Sequence, residues 1–353
     1  MIRFGPETEI IHALPVASAI RRAVSPARLV WVTDEVGVEL LEGYEDIDVL
    51  HAWKRKEWIR DFPYPHRTIP VVWEMVMTLL RLRRDTIDVV LDLQGSALSA
   101  FIGMSSGCTH RIGVQGEGGL MKRWSPRIAA QPEGIVHDVE RNLSLLREMG
   151  IEAETTMPKL MIPQEARIEA DTFFAQRLPF PDRPVIGIYP GADYTNRCWG
   201  ADHYARVADA MTEKLGMNCL ILWFPGERGM VTSIERRMRS VPLRAYPARG
   251  KSMLALIGGC SFIIAGDSAI IQMAGLMHVP VLGLYGPTAS QARGPRGTCD
   301  RVIQGTLPCV PCGRLYCASP ACMDTIQVED VVHAAEQMLE SYVLHARKRN
   351  EEE

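Results

Sequence analysis

The sequence predicts an α/β protein of two halves, each a parallel sheet with helices on its faces. Three observations predict it. Short, continuous β-rich runs alternate with longer helical stretches, the pattern of sheets built from strand–helix–strand crossovers. The alternation breaks in a proline-rich section and then resumes. The chain has 353 residues, 47% of them hydrophobic and 23% charged, which is ordinary globular composition and enough for two domains.

In the first half, "PETEIIHALP" places Glu9 and His12 around a first helix. "RLVWVTD" (Arg28 to Asp34) and "IDVVLDLQG" (Ile87 to Gly95) read as buried strands. Such unbroken apolar runs suit parallel strands covered on both faces. "IPVVWEMVMTLLRLRR" lies between them and reads as helix. "HDVERNLSLLREMG" is an amphipathic helix stopped by Gly150. The section from Ile151 to Pro184 carries prolines at 158, 163, 179, 181 and 184, and a linker is expected there. The second half then reads strand "PVIGIYPG", helix "ADHYARVADAMTEKLG", strand "NCLILWFPGE", helix "MLALIGGC", strand "SFIIAGDS", helix "AIIQMAGLM" and strand "PVLGLYGPT". A final helix, "VEDVVHAAEQMLESYVLHARKR", follows.

A formal net charge of -3 gives no reason to expect nucleic acid as a partner. The clusters Lys54-Arg55-Lys56 and Arg81/Arg83/Arg84 read as solvated faces or as binders of an anionic acceptor. Glu7 and Glu9 interrupt the start of the chain, so no signal peptide is expected. Ser268 to Ala292 holds no formal charge, but Pro280, Pro287 and several glycines fall in it. A spanning helix needs about 20 helix-compatible apolar residues, and none is expected here. Nine cysteines are too few for a disulfide scaffold. Cys108, Cys198, Cys219, Cys260 and Cys299 are scattered and should pack as small hydrophobes, as in a reducing cytoplasm. Cys309, Cys312, Cys317 and Cys322 cluster within fourteen residues. Zinc or iron, local disulfides and plain thiols all remain open for them.

Ligands of open α/β sheets sit beyond the carboxyl ends of the strands. In the second half that rule selects Gly191 to Arg197, Pro225 to Arg228, Asp267-Ser268 and Gly286-Pro287-Thr288. Asp267-Ser268 can cap the following helix or help form an anion site at its N-terminus. Arg197 is a phosphate partner by its planar fork, or the charge of a surface loop. Glu227 can accept ribose hydroxyls or be a solvated turn residue. Glu9 is a candidate general base.

Together these stretches resemble glycosyltransferase family 9, the ADP-heptose:lipopolysaccharide heptosyltransferases. "LDLQGSALSAFIGMSSGCTHRIGV" is similar to the family's Asp-Leu-Gln-Gly segment and Arg-Ile-Gly strand. "YPGADYTNRCWGADHYARVADAM" is similar to its Pro-Gly-Ala…Lys-x-Trp-Pro motif. "FIIAGDSAIIQMAGLMHVPVLGLYGPT" resembles its Asp-Ser/Thr-Gly-x-x-His signature with Phe/Tyr-Gly-Pro-Thr. "CVPCGRLYCASPACMDTIQVEDVV" resembles the cysteine-bearing tail of many members.

The resemblance implies a GT-B fold, two Rossmann-like domains facing across a cleft. The expected divisions are 1–162 for an acceptor-binding domain and 163–327 for a nucleotide-sugar domain, with 328–353 a helix packing back on the first. It implies an inverting, metal-independent transferase that moves a heptose-like sugar, ADP-heptose favoured as donor, onto a lipopolysaccharide core or related glycan. Glu9 falls on the family base. Thr195, Asn196, Arg197, Glu227, Asp267, Ser268, Ala269 and Gln272 fall on the donor nucleotide and diphosphate site. Four positions depart from the family pattern: Glu9 for Asp, Arg197 for Lys, Ala269 for Gly and Gln272 for His. They motivate an alternative, a catalytically impaired relative that binds a nucleotide sugar or glycan. No cofactor is implied. The implied setting is the cytoplasm, with peripheral contact at the cytoplasmic face of the inner membrane and a glycolipid or glycan acceptor.

Overall fold

The structure, a computed structural model, describes residues 1–61, 64–114, 127–129, 133–134, 136–153, 157–158 and 160–352, without the side chains of 65, 66, 127 and 341–352. Packing divides the chain into two units, Met1–Met161 and Ile162–Glu353.

The first unit holds strands β1 (Val30–Thr33), β2 (Val49–Ala52), β3 (Val89–Asp92), β4 (His110–Gly113) and β5 (Arg127–Ile128), all paired in parallel. Ile2 lies between β1 and β3, bridged to Val32 and Asp92. Its N–H donates to Leu91 O at 2.9 Å, and the Arg3 N–H donates to Val32 O at 3.1 Å. The opening residues therefore serve as the central strand, and the order across the sheet is β2, β1, the opening residues, β3, β4, β5. This is the doubly wound order, whose reversal lies between the opening residues and β3. The helices are α1 (Glu7–Ile11), α2 (Leu14–Ala23), α3 (Glu35–Leu41), α4 (Arg55–Asp61), α5 (Pro65–Arg84), α6 (Ala97–Ser105) and α7 (Asp138–Leu143). The last runs on as a 3-10 turn to Met149 and stops at Gly150, which is left-handed (φ 72°). One core cluster gathers Ile2, Val30, Val32, Trp53, Trp58, Val71, Leu82, Val90 and Ile102.

The second unit begins with a correction. A 14-residue helix, α8 (Gln164–Arg177), occupies much of the stretch expected to be linker. Pro163 stands at its N-cap and Pro179 just past its end, while the residues between lack proline. Proline is compatible with a helix start and hostile only to its interior. Phe174 of α8 packs where Gly259 has no side chain; a Cβ there would lie 2.2 Å from the ring.

Six parallel strands follow: β6 (Val185–Tyr189), β7 (Asn218–Ile221), β8 (Leu243–Arg244), β9 (Phe262–Gly266), β10 (Val281–Tyr285) and β11 (Arg301–Gln304). Their order is β8-β7-β6-β9-β10-β11, the same doubly wound arrangement, with its reversal between β6 and β9. Every residue of β6, β7, β9 and β10 is buried, as their continuous apolar runs require. Burying each Ile or Leu contributes roughly 1.5–3 kcal/mol. The helices are α9 (Ala201–Leu215), α10 (Arg228–Glu235), α11 (Gly250–Gly258), α12 (Ala269–Leu276), α13 (Ser290–Arg293), α14 (Ala321–Asp324) and α15 (Val328–Glu352). In α15, Val328, Val331, Val332, Ala335 and Met338 are buried, and the helix packs on α9 and β10. Among the described residues no helix is long and apolar enough to cross a membrane.

Three of the scattered cysteines, Cys108, Cys219 and Cys260, are buried as expected, and Cys198 is half-buried. Cys299 is exposed, against expectation; it lies in the short turn leading into edge strand β11, whose first two residues are exposed as well.

Candidate functional site

The edge of the second sheet is built from adjacent parallel strands β7, β6, β9 and β10, so their carboxyl ends share one side. The four loops expected to form a site leave those ends. After β6, the loop forms a 3-10 turn at Thr195–Arg197 and buries Asn196 and Arg197, while Thr195 is exposed. The Arg197 guanidinium lies 4.7 Å over the Tyr194 ring, a cation–π contact that fixes its plane. Its Nη1 stands 2.7 Å from Asp267 Oδ2, with about a twentieth of each side chain exposed. That contact joins the two strands flanking the sheet's reversal. It is a charge contact without hydrogen-bond alignment: Arg197 Nε and Nη1 and Asp267 Oδ2 have no hydrogen-bond partner.

Nearby polar atoms share this condition. Asn196 donates through Nδ2 to Arg314 O at 2.9 Å, but its Oδ1 is buried without a partner, as is Thr288 Oγ1. Buried polar groups are paired in the great majority of cases. Here unpaired ones gather on loops at the carboxyl edge, where ligands of such sheets bind.

Ser268 stands at the N-cap of α12, yet its hydroxyl donates back to Gly266 O at 2.9 Å and caps nothing. Of the two roles open to this pair, Ser268 thus does not take the cap. The extended backbone of Ser268 (ψ 167°) turns the chain into the helix, and the hydroxyl satisfies the strand end instead. Ala269 is the buried first residue of the helix. Gln272 donates through Nε2 to Arg293 O at 2.8 Å. Its amide is spent on holding the short α13, together with the Tyr285 hydroxyl on the same carbonyl at 3.2 Å. Glu227 is half-buried. Its Oε1 accepts from the Tyr189 hydroxyl at 2.8 Å and its Oε2 from the Phe224 N–H at 2.7 Å. The carboxylate thereby ties the β7 turn to the β6 end. Gly191 is required beside it, since a Cβ there would lie 2.7 Å from Glu227 Oε1.

Three further parts escaped the sequence. Arg293 adds a second positive charge: both it and Arg197 act on Asp193 and Tyr285. Asp193 reaches solvent, yet partial burial of its carboxyl and the nearby Asp267 charge raise it above the ordinary value. Gln304 of β11 donates to the carbonyls of Tyr285, Gly286 and Thr288 at 3.1, 2.8 and 3.2 Å, shaping the Gly-Pro-Thr loop. The cysteine-bearing loop leans on the same edge. Gly313 N–H donates to Pro287 O at 2.7 Å, Arg314 O is held by Asn196, and Tyr316 meets Tyr194 edge-on. Cys309, Cys312 and Cys317 are exposed free thiols and Cys322 is a buried one. Among the described residues, no three His, Cys, Asp or Glu side chains are gathered to hold a metal ion.

In the first unit, Glu9 lies on α1, just past the central strand. Arg3 from that strand pairs with its carboxylate and also donates to Leu93 O. About a quarter of the Glu9 side chain stays exposed. Gly5 (φ 117°) makes the turn between them in a region that favours glycine. Its N–H is held by Asp34 and that of Phe4 by Gln94. Asp92 is buried at the end of β3. Its Oδ1 accepts from the N–H groups of Gln94 and Gly95, both at 3.0 Å, and its Oδ2 from the Ser99 hydroxyl at 2.9 Å. His12 is buried with its ring 5.1 Å from that of His137, a packing role. The candidate residues thus form two groups: Glu9 in one unit, and the remaining eight in the other.

Residues 77–322 match the model of glycosyltransferase family 9 (heptosyltransferase). The lipooligosaccharide heptosyltransferase 2 of Haemophilus influenzae is 27% identical over 242 residues, 64% of this chain and 68% of that protein. The glycosyl transferase family 9 structure from Veillonella parvula superposes with a TM-score of 0.79 at 19% identity, covering 96% of each chain. The ADP-heptose lps heptosyltransferase II of Escherichia coli does so with a TM-score of 0.75 at 17% identity, covering 96% of this chain and 98% of that one. Likeness over nearly the whole chain, with parallel α/β sheets in both units, gives the GT-B fold.

Proposed function

Because the chain belongs to glycosyltransferase family 9, and is therefore a glycosyltransferase, we propose that it transfers a heptose from a nucleoside diphosphate donor, ADP-heptose favoured, to the core of a lipopolysaccharide. The observation that carries this reading is the buried Arg197–Asp267 pair, with its unpaired polar atoms at the switch point. A diphosphate offers the acceptor oxygen that Arg197 Nε lacks, and a sugar hydroxyl offers the donor that Asn196 Oδ1 lacks. Arg293 adds a second positive charge acting on the same neighbours, Asp193 and Tyr285. Two of the relatives, a lipooligosaccharide heptosyltransferase 2 and an ADP-heptose lps heptosyltransferase II, agree with this reading.

The reaction inverts the anomeric carbon and needs no metal. Glu9 takes the proton from the acceptor hydroxyl as its oxygen attacks. The bond from the anomeric carbon to the diphosphate oxygen breaks, and the nucleoside diphosphate leaves with the electron pair. Arg197 and Arg293 face the charge that develops on it. Fixed charges in a buried setting are effective here because they need no reorganisation. Arg3 holds Glu9 in one orientation, which matters because Glu reaches one methylene beyond the family's Asp. The work takes place at the cytoplasmic face of the inner membrane, where a glycolipid acceptor is presented.

The test has two steps. A thermal shift across nucleotide sugars should be larger for ADP-sugars than for UDP- or GDP-sugars, since a ligand of the native state raises apparent stability. Nucleoside diphosphate should then be released only when donor and core acceptor are both present. A shift with ADP-heptose and no release with any core acceptor would instead favour the binding-only relative.

A further inference from the structure

Helix α5 carries two apolar stripes. Val71, Thr78 and Leu82 are buried, and Met75 and Leu79 pack on the core. On the opposite side, Ile69, Val72, Trp73, Val76 and Leu80 recur at helical spacing and are all exposed, Ile69 by 78% and Trp73 by 67%. A helix covering a core needs only the first stripe. Contiguous exposed apolar surface of this kind marks an interaction site.

The charges beside the second stripe indicate what covers it. At 100° per residue, Arg83 and Arg84 fall on the same face one turn beyond Leu80, with Arg81 at its border, and all three are exposed. The one carboxylate within the helix, Glu74, turns away from this face. It accepts from the Trp58 indole at 2.8 Å and pairs with Lys54 at 2.7 Å. Asp61, before the helix, is held by Arg60 and Arg67, and Asp85, after it, by Arg28 and His51. A layer with an apolar interior and anionic headgroups matches both halves of the face: Trp73 and the aliphatic side chains enter the acyl boundary, and the arginines meet phosphates.

We propose that the outer face of α5 docks the protein on an anionic lipid bilayer. This deepens the membrane-side location proposed above and rests on that reading. The full chain should co-sediment with phosphatidylcholine vesicles containing phosphatidylglycerol, weakly with phosphatidylcholine alone, and less as salt rises. Trp73→Glu, and separately Arg81→Ala/Arg83→Ala/Arg84→Ala, should each lower partitioning onto the anionic vesicles by about tenfold or more, since each surface cation contributes about 1 kcal/mol. Circular dichroism and the thermal shift by donor should stay unchanged, as these side chains lie outside the core.

No partitioning of the wild-type chain, or equal partitioning of Trp73→Glu, would overturn the proposal. So would a wild-type dimer that Trp73→Glu splits without affecting vesicle binding, which would give the face to a second copy. These vesicles hold no glycan acceptor. Docking can therefore fail while transfer to a detergent-dispersed core acceptor persists, and the reverse outcome would sink the transferase reading alone.

Discussion

Each unit places an arginine–carboxylate pair beside the reversal point of its sheet, yet the two pairs differ in what surrounds them. Arg3 and Glu9 sit at the edge of the first sheet, where Arg3 is also tied to Leu93 O and Glu9 keeps contact with solvent. Arg197 and Asp267 are almost wholly buried and leave polar atoms unpaired. An exposed carboxylate held in place suits proton transfer, because it can meet an incoming hydroxyl. A buried pair with spare donors and acceptors suits binding, because a ligand can complete it. The same sheet topology thus carries two pairs that differ in burial, and the proposed division of labour rests on that difference.

Glu9→Gln gives the largest expected effect. Loss of a general base lowers turnover by about 10²–10⁴-fold, while the donor-induced thermal shift should persist, since Glu9 belongs to the other unit. A variant that loses donor binding along with turnover would erase the proposed division of labour. Arg197→Ala should behave in the opposite way. It strands the buried Asp267 carboxylate, at about 3–5 kcal/mol, and removes the donor-induced shift. The paired change Arg197→Met/Asp267→Asn should regain much of the stability measured by urea unfolding without regaining donor binding. Arg293→Ala is a milder probe. Its charge acts on Asp193 and Tyr285, as that of Arg197 does, so donor affinity should fall by about threefold to tenfold with little loss of stability. An unchanged affinity would remove Arg293 from the site.

The second unit was the more legible in the sequence, and the reason is physical. Its inner strands are buried on both faces, so they appear as unbroken apolar runs, and the polar residues that end them stand out. Arg197, Glu227 and Asp267 became candidates that way. Function at the level of contacts was less visible. Ser268 and Gln272 have the right chemistry to meet a ligand, but a neighbouring carbonyl takes the Ser268 hydroxyl proton and the Gln272 amide. Arg3 could not be read because its role depends on a central strand too short to show periodicity. Gln304 lies on an edge strand whose mixed burial gives no pattern. The helix α8 was hidden by the prolines that bound it.

The smallest effect tests the loop behind Glu9. Burial raises the Asp92 carboxyl above its ordinary value, outweighing the N–H groups of Gln94 and Gly95, the Ser99 hydroxyl and the charge of Arg3. The folded chain therefore binds this proton more tightly than the unfolded chain does. Stability falls as pH rises from the unfolded value, about 3.9, through the raised folded value, and stays lowered above it. Asp92→Asn removes the titration and keeps an oxygen for the two N–H groups, and the Ser99 hydroxyl can turn to accept from the new amide. Across that window the variant should gain stability relative to wild type, read as the gap between their urea midpoints at stepped pH. A gap that moves the other way would mean that the ionised carboxylate strengthens the loop. The first unit would then rely, like the second, on a buried charge.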